Sequence, residues 1–82
     1  MNKLKCLTIK EGPIPSEKTV TVLTSDGIAE EVIVAREQAD GGCLLVWPIG
    51  MEGSKVLVEL PRESSSGFWR LWINKENLEL AS

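Results

Sequence analysis

Short apolar runs in this chain are separated, at fairly even intervals, by clusters of Gly, Pro, Ser and Asp. That punctuation points to a small all-β fold of antiparallel strands, because each run is long enough for a strand and each break carries turn chemistry. The 82 residues suffice for one domain, read here as 1–82 without a linker or internal repeat. A chain this short buries roughly 60% of the surface its unfolded form exposes, so the core must be modest.

The runs can be placed along the chain. Leu4–Ile9 comes first, and Glu11-Gly12-Pro13-Ile14-Pro15-Ser16 reads as a loop from its two prolines and its glycine. Thr19–Thr24 is β-branched at five of six positions, with Val20 and Val22 on one face. Ser25-Asp26-Gly27 is the strongest hairpin signal in the chain, since Asp-Gly accepts the positive φ of a tight turn.

Ile28–Ala39 allows two readings. As a helix, Ile28, Val32, Ala35 and Ala39 line one side and Gly41 stops it. The β-branched run Val32-Ile33-Val34 loses side-chain freedom in a helix, and Arg36 would enter the apolar side. The strand reading is favoured, and it turns Glu30 toward the inside.

Asp40-Gly41-Gly42 is a turn, and Cys43–Trp47 reads as a central strand covered on both faces. Pro48–Ser54 is expected to be a connection, Lys55–Leu60 a further strand, and Pro61–Gly67 an exposed loop. Phe68–Ile73 is the last full strand, followed by a helical turn at Asn74–Asn77 and the docking residues Leu78 and Leu80.

Leu71-Trp72-Ile73-Asn74-Lys75-Glu76-Asn77-Leu78-Glu79 resembles the late strand, helical turn and return of an SH3-like barrel. The resemblance spans Thr19–Leu80 in order and spacing. It implies a small antiparallel SH3-like barrel of five or six strands with a short helical turn near the C-terminus. It does not extend to the Tyr-rich groove by which some members hold proline-rich peptides, because the chain has no Tyr.

Composition removes several activities. There is no His, so neither Ser nor Cys has the usual general base, and the expectation is a protein that is not an enzyme. Gly50-Met51-Glu52-Gly53 lacks the Lys-Ser/Thr that a phosphate loop requires. Glu30 and Glu31 point to opposite faces of a strand and are expected to be solvated charges. Cys6 and Cys43 lack metal-ligand spacing and read as free thiols. No cofactor or metal is expected. The N-terminal residues lack the apolar run of a signal peptide, and no stretch is long enough for a membrane span. These features lead to the expectation of a cytoplasmic protein.

Two features remain as functional leads. Three serines and a glycine lie between Arg62 and Arg70, and arginine forks suit carboxylates or phosphates. Gly67–Ile73 holds the only Phe and two of the three Trp. Strand alternation assigns Trp69, Leu71 and Ile73 to the core and Phe68, Arg70 and Trp72 to the outer face. The C-terminal Leu78 and Leu80 or the N-terminal strand could equally well cover that outer face. Arg62, Phe68, Arg70 and Trp72 are therefore the candidate partner-binding residues. The expected role is a non-catalytic protein-interaction or accessory-subunit module, binding a protein partner or itself. The alternative is a small barrel that binds single-stranded nucleic acid by stacking, with Phe68, Trp72 and Arg70 as the platform. The net charge of −3 disfavours it, because such binding depends on Lys and Arg displacing counterions.

Overall fold

Nine strand segments and two single turns of 3-10 helix make up the computed structural model, which describes residues 2–79. The strands are β1 (Asn2–Lys5), β2 (Thr8–Glu11), β3 (Glu17–Leu23), β4 (Ala29–Ala35), β5 (Ala39–Asp40), β6 (Cys43–Glu52), β7 (Lys55–Glu59), β8 (Arg70–Asn74) and β9 (Leu78–Glu79). The 3-10 turns are Arg36–Gln38 and Lys75–Asn77. Among the described residues there is no α-helix, and no helix is long and apolar enough to cross a membrane.

Two antiparallel sheets result. One runs β8-β7-β6-β1-β9, with β5 also paired to β6, and the other runs β2-β3-β4. No closed barrel forms among the described residues. The number of strand segments also exceeds the five or six expected, because one predicted run is divided and the two-residue segments β5 and β9 are added, and a further run is longer than expected.

Leu4–Ile9 is the divided run. The Cys6 amide donates to the Gly42 carbonyl (3.1 Å) on the larger sheet, and the next amide, that of Leu7, donates to the Thr21 carbonyl (2.7 Å) on the smaller. One apolar run therefore crosses from sheet to sheet. The second is Cys43–Trp47, which continues through the expected connection to Glu52. A register shift between Pro48 and Gly50 lets β6 bend there. Proline is tolerated because the last described β1 pairing is Asn2 with Val46, so Pro48 breaks no bond to β1. Nor is β6 covered on both faces. Leu44 and Val46 are buried, Leu45 is half-buried and Trp47 is exposed.

Ile28–Ala39 resolves as the β4 strand followed by a 3-10 turn, and Val20 and Val22 face inward opposite Val32 and Glu30. The Thr24–Ile28 turn closes through the Thr24 amide to the Ile28 carbonyl (2.8 Å) and the Gly27 amide to the Thr24 carbonyl (3.0 Å). Gly41 and Gly42 have φ of 58° and 82°, the paired positive values that a two-residue hairpin turn between twisted strands demands. The helical turn expected at Asn74–Asn77 is present, and Leu78 packs against the core. Leu80 lies outside the described residues.

The core is entirely aliphatic: Leu4, Val20, Val22, Val32, Val34, Leu44, Val46, Val56, Val58, Leu60, Leu71 and Ile73. Its positions follow the two-residue period of each strand, which is how these alternating runs specify register. Cys6 and Cys43 are free, at the edge of this core. Burial, followed by the neighbouring Cys43, pushes the Cys6 thiol from 9.0 up to about 12.

Candidate binding site

The predicted assignment of the last strand holds for Leu71 and Ile73, which are buried, and fails for Trp69. Regular strand starts only at Arg70, because Gly67 turns the chain with φ of 90°. Trp69 sits just before it, beyond the rim of the core, with its carbonyl accepting from the Leu60 amide (2.8 Å). It is 53% exposed. Every ring in the chain is thus outside the core: Trp47, Phe68, Trp69 and Trp72 are all exposed.

Two of the four rings are carried by β6 and β8, on either side of β7. On the outer face the register forms two rows, Trp47–Glu59–Arg70 and Gly50–Leu57–Trp72. Trp72 lies directly beside Leu57, and Trp47 lies diagonal to it, spacings at which large side chains interact across strands. Glu59 accepts from Arg70 Nε at 3.3 Å, so the arginine's charge is offset within its own row. Gly50 contributes no side chain beside Leu57, which keeps this face shallow.

The turn at Ser64 places Phe68 at the rim. Sequence reading makes Pro61–Gly67 an exposed loop, whereas Ser64 is buried and bridges to Val32 of β4. Its amide donates to the Phe68 carbonyl (2.8 Å) and its Oγ accepts from the Phe68 amide (3.1 Å). The Ser65 amide donates to the Glu31 carbonyl (2.8 Å), so the loop is fastened to the edge of β4. From the other side, the Ser25 amide donates to the Trp72 carbonyl (2.8 Å), which ties the β3–β4 turn to β8.

Two clefts border Trp72 near these anchors, each of about 170 Å³. The first brings Phe68, Arg70 and Trp72 together with Ile28, Asp26 and Glu30. The second is lined by Ser25, Asp26, Glu52, Lys55 and Trp72. Glu30, expected to be solvated, is only 7% exposed, because the inward parity of β4 carries it to the same side as Val32 and Val34. Its Oε1 and the Ser25 Oγ are buried without a hydrogen-bond partner. The residues that carry them, Glu30 and Ser25, each line one of these clefts.

Arg62 does not join this group. It bonds Glu17 Oε2 at 2.6 Å, fixing the Ser64 loop to the start of β3. Two larger hollows, of about 470 and 260 Å³, lie around Lys75 and are lined by none of the predicted site residues. Among the described residues no group of three or more His, Cys, Asp and Glu is placed to hold a metal. Sequence reading missed Trp47, whose place in an apolar run suggested a covered position, and Glu30, whose charge suggested solvent.

No family model matches the chain, and no curated protein or solved structure is significantly similar to it.

Proposed function

We propose that this chain is a non-catalytic binding module that receives a protein partner, or a second copy of itself, on the outer face of β6–β8 and its rim at Phe68. The observation that carries this reading is the apolar diagonal of exposed Trp47, half-buried Leu57 and exposed Trp72 across three adjacent strands. Contiguous exposed apolar surface marks interaction sites, and Trp and Arg are concentrated among the residues that dominate binding. The lack of His leaves no ordinary general base beside any Ser or Cys, which supports the non-catalytic part. The order β6-β7-β8, 3-10 turn, β9 supports reading the architecture as an open relative of the SH3-like barrel. Arg62 belongs to this reading only as a brace for the loop that carries Phe68.

Replacing Trp72 and Arg70 together by Ala tests the proposal. Sedimentation and partner capture on the wild type and the double variant should show association that the variant loses while its circular dichroism is retained. Unchanged association in a folded variant would rule out this face. Titration with a single-stranded oligonucleotide at low salt checks the alternative, and salt-sensitive binding there would favour nucleic acid over protein.

A further inference from the structure

The cleft between Phe68 and Trp72 has a chemistry of its own. Its walls are apolar, from the Phe68 and Trp72 rings and from exposed Ile28. Its lining includes Glu30, a carboxylate 7% exposed whose Oε1 has no hydrogen-bond partner. Buried acceptors in folded proteins are almost always paired, so an orphaned one in a cleft asks for a donor from outside. Asp26 adds a second acidic group to the lining. The one cation there, Arg70, is engaged by Glu59 on the outer face. The cleft therefore sets two acidic side chains beside two aromatic rings, a combination of groups suited to a cation.

Building on the binding-face reading above, we propose that this cleft receives a basic side chain, Lys or Arg, of a protein partner. Glu30 is its counter-ion, and Phe68 and Trp72 flank its aliphatic stem. A neutral or acidic side chain leaves Glu30 unpaired and is rejected for that reason.

The test is a nitrogen-15 chemical-shift titration with three capped pentapeptides that carry Lys, Nε-acetyl-lysine or Glu between glycines, and an Arg counterpart of the first. The Lys and Arg peptides should move the amides of Ile28, Glu30 and Phe68 and the Trp72 indole. The acetylated and Glu peptides should bind about tenfold more weakly or less. Glu30→Gln should reduce the Lys peptide to the level of the acetylated one and leave the acetylated one unchanged. Glu30→Met serves the same purpose if the Gln variant does not fold, which its own spectrum reveals. Equal binding of charged and neutral peptides, or Lys binding unaffected by Glu30→Gln, overturns the proposal while leaving the binding face intact. The absence of shifts with every peptide also overturns it, and the Trp72 and Arg70 association experiment then judges the face separately.

Discussion

Replacing Glu30 by Met should make the protein more stable. The side chain is 7% exposed, faces inward beside fully buried Val22 across the β3–β4 pair, and has one oxygen with no partner. A buried polar group left unsatisfied costs about 1–3 kcal/mol, and more when charged. Methionine has similar length, no branching and no polar oxygen, and it adapts to irregular gaps. Arg70, the cation that lines the same cleft, is well exposed and already paired with Glu59, so its loss as a neighbour is worth no more than a few tenths of a kcal/mol. The net expectation is a gain of about 1–2 kcal/mol. With a urea slope of about 1 kcal/mol per M for so small a chain, the midpoint should rise by about 1–2 M.

Urea denaturation followed by tryptophan fluorescence measures this, with two controls. Glu30→Gln keeps a buried polar group and should gain little. Glu31→Met changes the exposed neighbour on the opposite face and should stay within about 0.5 kcal/mol of the parent. A fall in the midpoint of Glu30→Met at unchanged slope would mean that Glu30 supports the fold, and it would refute the reasoning that sets this residue aside for a ligand. An equal rise in both Met variants would assign the effect to strand propensity and not to burial.

Ile73→Ala, at a fully buried position in β8, should cost about 2–5 kcal/mol in the same denaturation assay, whereas Phe68→Ala should change stability by no more than about 0.5 kcal/mol. Gly12→Ala should destabilise by about 1–3 kcal/mol, because the new Cβ would lie 2.7 Å from the Glu17 backbone. Gly50→Ala should be stabilising by about 0.4–1 kcal/mol, since its Cβ meets Leu57 at an ordinary 3.6 Å. Iodoacetamide should label Cys6 about a thousandfold more slowly in the folded protein than a free thiol of the same protein in urea, because its value near 12 leaves little thiolate. The same shift stabilises the fold fully below pH 9.0 and is lost as pH rises toward 12, so alkaline denaturation should ease in Cys6→Ala. The Glu11 carboxyl, held low by its hydrogen bond from Lys18 and by the charge of Arg36, should titrate below the usual glutamate range and return toward it in Lys18→Gln. Its contribution to stability is present above the ordinary value and fades as pH falls through the lowered one.

How much of this was legible in the sequence depended on the range over which each signal acts. Turn chemistry is local, so Asp26-Gly27 and Gly41-Gly42 marked their hairpins, and Val20 and Val22 marked the buried face of β3. The break at Cys6–Leu7 was not legible, because it is decided by two distant acceptors, Gly42 and Thr21. Trp69 was misplaced because alternation was carried back to Phe68, whereas regular strand begins only at Arg70. Glu30 shows the opposite case. Alternation correctly turned it inward, and the rule that carboxylates seek solvent overrode that signal. Of the candidate site, Phe68, Arg70 and Trp72 were legible as neighbours in sequence, but Arg62 was separated from them by its ion pair with Glu17.

The aliphatic core sharpens the meaning of the rings. Trp is among the most buried residue types on average, and aromatic side chains contribute large areas to most cores. Here Val, Leu and Ile fill the interior of both sheets without any ring. Stability therefore does not explain why Trp47, Phe68, Trp69 and Trp72 are present, and their exposed surface makes the chain more prone to associate. The same holds for the orphaned polar atoms, Glu30 Oε1 and Ser25 Oγ, which an apolar substitution would remove without loss of packing. Phe68, Glu30 and Ser25 line the clefts that border Trp72. A fold satisfied by its aliphatic residues, carrying costly rings and an unpaired carboxylate at one rim, is the pattern expected where local rules yield to a binding site. Stability and ligand capture should therefore move in opposite directions at Glu30.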